Sequence, residues 1–272
     1  MCLFNLWMRI RIVIANNLYV LWTLLLRDAT VFKSRILSRM IDGVTWGTSV
    51  IIVSHFILPH IGVDAKFGAF IFVGNIAIWG MFGMLAETAV ILADIAGHQQ
   101  ISYFLMLPIP QSLVFIRLGL FNAYKSFVTP LPIFIVGKLI LGSSLPLSSV
   151  SFGKLLLFYT LMNLFYGFFG LFLASIAKNL PAIATIRTRY ITPIWFLGGY
   201  QFSWAISQQA SPMLATINRM NPMVYVFEGL RSTILGPDDF LPFWQCTGVL
   251  IFFTLFFGYF AVRNLKRRLD CL

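Results

Sequence analysis

The chain predicts an all-α integral membrane protein with six transmembrane helices. It adds an amphipathic N-terminal helix at the interface, a short amphipathic helix between spans two and three, and a re-entrant helical segment before span six. Three observations carry this reading. The 272 residues are 59% apolar and only 11% charged, against about 45–50% and about 25% in soluble domains. Several apolar runs reach the roughly 20 residues that a helical crossing needs. The basic residues then segregate to alternate loops, as the positive-inside rule requires.

Residues 3–39 are amphipathic rather than spanning. Leu3, Leu6, Trp7, Ile10 and Ile14 form one helical stripe, and Leu18, Leu21, Trp22 and Leu25 another. Arg9, Arg11, Arg27, Lys33, Arg35 and Arg39 punctuate the segment, a pattern suited to a basic helix in the headgroup plane. Arg9 and Arg11 also interrupt any signal-peptide apolar core, so the first residues are expected to persist. Residues 1–39 form this N-terminal region, and 40–272 a single membrane domain without internal repeat or linker.

The spans are expected between Asp42 and Asp64, Lys66 and Glu87, Ser112 and Leu141, Lys154 and Lys178, Tyr190 and about Gln208, and Asp239 and Arg263. The third contains Arg117, Lys125, Pro130 and Pro132; basic residues near its ends can snorkel and Pro is tolerated in membrane helices. Lys125 is its awkward residue. Six spans place both termini on one side, together with Arg9 to Arg39, Lys178, Arg187, Arg189 and Arg263 to Arg268. That side is cytoplasmic by the positive-inside rule, in a cell membrane, with the bacterial inner membrane as the expected location. The spacing of Gly43 and Gly47 allows close helix approach, or occurs by chance.

The formal charge of +11 serves orientation. No basic run alternates with exposed aromatics as a strand-binding groove would, so nucleic acid is not an expected partner. Cys2, Cys246 and Cys271 have no metal or disulfide spacing. His55, His60 and Asp64 stand five and four residues apart, which does not bring all three to one helical face, so no metal is expected there. No catalytic signature occurs, and Gly137-Lys138 and Gly153-Lys154 lack the rest of a phosphate-binding loop. Any ATP used by this protein is therefore bound by another chain.

Two segments remain as candidate functional elements. In DIAGHQQISYFLMLPIP (94–110), Ile95, Ile101, Phe104 and Leu105 oppose Asp94, His98, Gln99, Gln100 and Ser102, a short amphipathic helix stopped by Pro108 and Pro110. It is either a docking element for a cytoplasmic partner or a tied-down loop helix. Asp94 and His98 could face each other, but Asp94 reads better as a helix cap. Glu87, at the end of span two, marks an ion path or is solvated by headgroups. In NPMVYVFEGLRSTILG (221–236), Asn221-Pro222 opens a helix too short to span, with Glu228 and Arg231 three apart on one face at its rim.

Three stretches together resemble the permeases of type-2 ATP-binding-cassette exporters: residues 94–115, TPIWFLGGYQFSW (192–204), and 221–236. Gly198-Gly199, Phe202, Asn221-Pro222, Glu228, Leu230 and Arg231 fit the family pattern, whereas Ser203 stands where Pro is usual. The resemblance covers nearly the whole chain and rests on the order of elements more than on any one residue. It implies a permease dimer, each subunit engaging an ATPase subunit that binds ATP and magnesium. It implies that Asp94, His98, Gln99, Gln100, Tyr103 and Phe104 belong to a coupling helix seated on that ATPase. A gate helix would include Trp22, Arg27 and Lys33, and an outer re-entrant gate would include Asn221, Pro222, Glu228 and Arg231, the last two holding its shape. Aromatic-rich spans suit a lipid, a lipid-linked glycan or an amphipathic compound. The competing expectations are a lipid-modifying membrane enzyme using Asp94, His98 and Glu87, and a non-transporting scaffold.

Overall fold

The computed structural model describes residues 2–64, 66–98, 100–145, 148 and 150–269. Among these residues the secondary structure is helical throughout, with no β-strand. Helix α1 runs from Cys2 to Ile51 and passes through a π-helical turn at Ile52–Ile57. After it come α2 (Phe67–Ala93), α3 (Gln100–Leu105), α4 (Gln111–Val128) and α5 (Leu131–Leu141). Then follow α6 (Phe152–Ile176), α7 (Leu180–Ile186), α8 (Thr192–Leu197), α9 (Trp204–Ala210), α10 (Pro212–Asn218), α11 (Pro222–Ile234) and α12 (Phe243–Leu269).

Among the described residues, five helical runs are long and apolar enough to cross a membrane: Val13–Ile61, Phe67–Gly97, Gln111–Ser144, Phe152–Ile176 and Phe243–Leu269. The third joins α4 to α5 across Thr129-Pro130, so Pro130 sits at the junction of two helices and costs no mid-helix bond. The separate interface helix expected for residues 1–39 meets a different architecture. Its residues continue without a break into the first span, because no Pro or Gly interrupts the helix before Gly43. At about 1.5 Å per residue such a helix is about 75 Å long, more than twice a hydrocarbon core. It touches the bundle along one stripe: Asp28, Phe32, Ile36, Met40, Gly43, Gly47 and Ile51, spaced four or three apart, are its inward positions. Gly43 and Gly47 lie against Trp79 of α2 and Ile133 of α5, so their spacing serves packing within this chain. The side chains of Leu3, Leu6, Trp7 and Ile10 lie outside the described residues, while Leu18 and Trp22 are exposed.

The fifth expected span, Tyr190 to about Gln208, is corrected by the structure. A helical run begins earlier, at Leu180, passes a π-helical turn at Arg187–Ile191 and ends at Leu197. Gly199 then adopts φ +91°, a left-handed conformation that a glycine takes without strain, and α9 starts after Ser203. The run from Leu180 to Leu197 carries Arg187 and Arg189 and is not among the five apolar spans.

The core is the contact between α2, α4, α6, α11 and α12. Phe72, Ile76, Met81, Phe158, Phe165, Tyr166 and Phe227 are fully or nearly fully enclosed. Two polar contacts tie it together: the Tyr166 hydroxyl donates to the Ala77 carbonyl at 2.9 Å, and Trp46 Nε1 donates to Asn75 Oδ1 at 2.7 Å, while Asn75 Nδ2 and Asn163 Oδ1 are buried without a hydrogen-bond partner. At one end of the bundle, Arg268 donates from Nη1 to the carbonyls of Ala174 and Ala177 and from Nη2 to that of Lys178, tying α12 to the end of α6. These C-terminal carbonyls of α6 have no intrahelical donor, which is why a guanidinium fits there.

Candidate functional site

The two segments singled out in the sequence lie at opposite ends of this bundle. Helix α11 packs beside the N-terminal ends of α2, α6 and α12, and α3 lies where α2 ends and α4 begins.

Asn221 accepts a hydrogen bond from Met223 N at 2.9 Å as N-cap of α11, and Pro222 occupies the first turn, where its missing N–H is no loss. Asn221 Nδ2 also donates to the Ile194 carbonyl at 2.6 Å, anchoring the cap to α8. The helix is 13 residues long, about 20 Å and too short to span. Glu228 and Arg231, expected at the rim of this helix, are 1% and 0% exposed, because α11 is enclosed by three longer helices.

Nor is their bonding that of a direct ion pair. Glu228 Oε1 accepts from Trp204 N at 3.0 Å and Oε2 from Leu241 N at 3.1 Å, joining the start of α9 to the approach to α12. Arg231 donates from Nη1 to the Gly199 carbonyl and from Nη2 to the Tyr200 carbonyl, both at 2.6 Å, and its guanidinium lies 3.5 Å over the Phe70 ring. A planar fork that also stacks is what arginine supplies and lysine does not. Burial raises the Glu228 carboxyl above the ordinary carboxylate range, opposed by the Trp204 N–H, by Arg231 and by the Leu241 N–H. Ser203 is the N-cap of α9, accepting from Ile206 N at 3.3 Å, a bond that a proline there could not make.

At the other end, α2 passes into a π-helical turn, Asp94–His98, before α3. Asp94 Oδ1 accepts from Gln100 N at 3.1 Å and Oδ2 from Ile101 N at 2.8 Å, so it caps α3 across the turn. Ile101 and Phe104 are buried, whereas Gln100, Tyr103 and Met106 are exposed. Phe104 is covered by two guanidinium groups, Arg117 at 3.9 Å and Arg27 at 4.8 Å from its ring centroid. It is 4% exposed and holds α3 to the bundle. Gln99 and the His98 side chain lie outside the described residues. Of the expected gate residues, Arg27 reaches this cluster, while Trp22 and Lys33 are exposed on α1.

Sequence reasoning missed the ionic partners. Arg117 Nε faces Asp28 Oδ2 at 3.1 Å, with Arg27 at 3.3 Å from Asp28 Oδ1, joining α1 to α4. Lys125, the awkward cation, meets Glu87 Oε2 at 2.5 Å. The available signal was the charges themselves: Asp28 is the first acid of a basic helix, and an ionised group inside a span calls for a partner. His60 Nδ1 contacts the Phe56 carbonyl at 2.7 Å, and Asp64 accepts from Lys66 N. Among the described residues no three His, Cys, Asp or Glu gather as a metal site.

Fold and site together define a multi-pass helical membrane protein with a braced short helix at one end and a capped short helix at the other. No protein-family model matches the chain. A stretch of 88 residues is 32% identical to the inner membrane transport permease YadH of Escherichia coli strain K12, covering 32% of this chain and 33% of that protein. YadH of Escherichia coli O157:H7 and of Shigella flexneri match to the same extent. The match spans about a third of the length of these curated relatives.

Proposed function

We propose that this chain is the permease subunit of an exporter whose ATP, with magnesium, is hydrolysed on a separate subunit. The observation that carries the reading is α3. Its N-terminal amides are fixed by Asp94 and its buried face by Phe104 under Arg117 and Arg27, while Tyr103 is 66% exposed. A short helix fixed on one side and bare on the other transmits a push, through those ties, to α1, α2 and α4. The partial similarity to inner membrane transport permeases supports transport over lipid chemistry. So does the engagement of both candidate acids: Glu87 bonds Lys125, and Asp94 bonds the amides of α3.

In this reading the run from Leu180 to Leu197 completes six crossings. Arg187 and Arg189 are exposed on it, and in a single chain they would face lipid at high cost. Pairing with a second permease around a polar pathway removes that cost and supports a dimer. The α3 end, which also carries Lys178 and Arg263 to Arg268, is then cytoplasmic, and α11 closes the outer side. The cargo is a lipid, a lipid-linked glycan or another amphipathic compound.

Purification from the native host in mild detergent tests the reading. A Walker-motif subunit is expected to co-purify and hydrolyse ATP, and to be lost when His98, Gln99 and Tyr103 are changed together to alanine while insertion is retained. Unchanged complex formation in that triple variant sinks the docking assignment; no ATPase in the wild-type preparation sinks the exporter.

A further inference from the structure

A cavity of ≈ 500 Å³ lies between α1, α2, α3 and α4, within the range of small-molecule sites. Its lining includes Arg27, Arg35, Arg117 and Lys125 against Asp28, Glu87 and Asp94, a surplus of one positive charge. The three carboxylates are already engaged: Asp28 with Arg117 and Arg27, Glu87 with Lys125, and Asp94 with the first amides of α3. Arg117 Nε and Asp28 Oδ2 form an ion pair at 3.1 Å without hydrogen-bond geometry, and two further donors are left over: Arg117 Nη1 and Asn122 Nδ2 have no hydrogen-bond partner, although the two residues are only 5% and 3% exposed.

Leaving a buried donor unbonded forfeits its hydration with nothing in return, so such groups normally have a partner. Water satisfies the donors but not the charge surplus; an anion satisfies both. Ile91, Leu118 and Phe121 line the same space beside the cations, and Val31 and Arg35 stand exposed at its edge on α1. A group with several diverging acceptor oxygens on an apolar stem matches this wall, and basic pockets between membrane helices hold lipid headgroups by the same chemistry.

We propose that this cavity binds a phosphate-bearing anion, held by Arg117 and Asn122 with Arg35 at the opening. The site is independent of the transport reading, since it requires neither an ATPase nor a pathway.

The test uses the purified full chain in dodecyl maltoside, with native mass spectrometry of retained dioleoyl phosphatidic acid and dioleoyl phosphatidylcholine, and thermal unfolding in the presence of inorganic phosphate. Wild type is expected to retain phosphatidic acid at least tenfold better than Asn122→Leu or Arg35→Gln, and several-fold better than the net-neutral phosphatidylcholine. Arg117→Gln removes the Asp28 pair as well and risks misfolding, so the other two variants, with melting temperatures close to wild type, decide. Retention of the lipid without protection by inorganic phosphate assigns the site to a headgroup. Protection by inorganic phosphate that depends on Asn122 and Arg35 assigns it to a free anion. Equal binding by wild type and both variants, equal retention of the two lipids without phosphate protection, or no binding of either probe overturns the site.

Discussion

Arg231 is the residue on which the α11 end depends most. Its side chain meets three backbone carbonyls and a ring belonging to two separate segments: the carbonyls of the Gly199-Tyr200 turn, and the carbonyl and ring of Phe70 at the start of α2. Removing it leaves the two carbonyls of the turn without this donor, and charge-assisted hydrogen bonds contribute about 1.5–3 kcal/mol each. Arg231→Met is expected to lower stability by about 3 kcal/mol or more, read as a fall in melting temperature of the detergent-solubilised protein. Arg231→Lys is expected to recover less than half of that loss, since one ammonium cannot reach both carbonyls and stack on Phe70. Full recovery by lysine would show that charge alone matters there. Glu228 works in the same way with opposite polarity, accepting from Trp204 and Leu241. The spacing of the two residues was visible in the sequence; their partners lie up to 161 positions away and were not.

Among the elements, the crossing of α4 and α6 shows how helix packing depends on single atoms. A Cβ at Gly167 would fall 2.2 Å from the Gly119 carbonyl oxygen and 2.8 Å from Ala123 N, both backbone atoms that cannot rotate away. Gly167→Ala therefore forces the two helices apart, and overpacking of this kind costs about 1–3 kcal/mol. Gly153, at the start of the same helix, meets nothing within 4 Å, so Gly153→Ala serves as the matched control. The expected result is a lower melting temperature for the first variant and an unchanged or slightly higher one for the second; equal behaviour would contradict the close approach. Tyr159 adds a second tie between these helices, donating to the Phe127 carbonyl at 2.7 Å. Helix α3 was legible as an amphipathic element from its alternation of apolar and polar positions. Its length was not, because the π-helical turn at Asp94–His98 takes up residues that the pattern alone assigns to the helix.

For the whole molecule, two ends differ in composition and in how they are held. One carries Met106, 82% exposed, with Lys178 and the basic residues that close α12; the other carries α9 to α11. The asymmetry of Lys and Arg predicts the orientation, and labelling checks it. In a background lacking Cys2, Cys246 and Cys271, Met106→Cys is expected to react with a membrane-impermeant maleimide only after the cells are opened. Ser207→Cys, on α9, is expected to react in intact cells. The reverse pattern would invert the topology. The long α1 belongs to this scale as well, since it touches α2, α4 and α5 along one stripe and leaves most of its remaining surface exposed.

By itself the sequence determined the environment, the helical class, four of the expected spans nearly as found, the cap at Asp94 and the start of a short helix at Asn221-Pro222. These follow from local quantities: apolar length, helical periodicity, and the preference of Asp, Asn and Pro for particular turns. Tertiary structure alone decided that α1 lies against the bundle along one stripe and that Glu228 and Arg231 are enclosed. It also paired Asp28 with Arg117 and Glu87 with Lys125. Each of those outcomes depends on a partner distant in the chain, and in a protein whose apolar residues face both lipid and core, hydropathy does not reveal which side of a helix meets which neighbour.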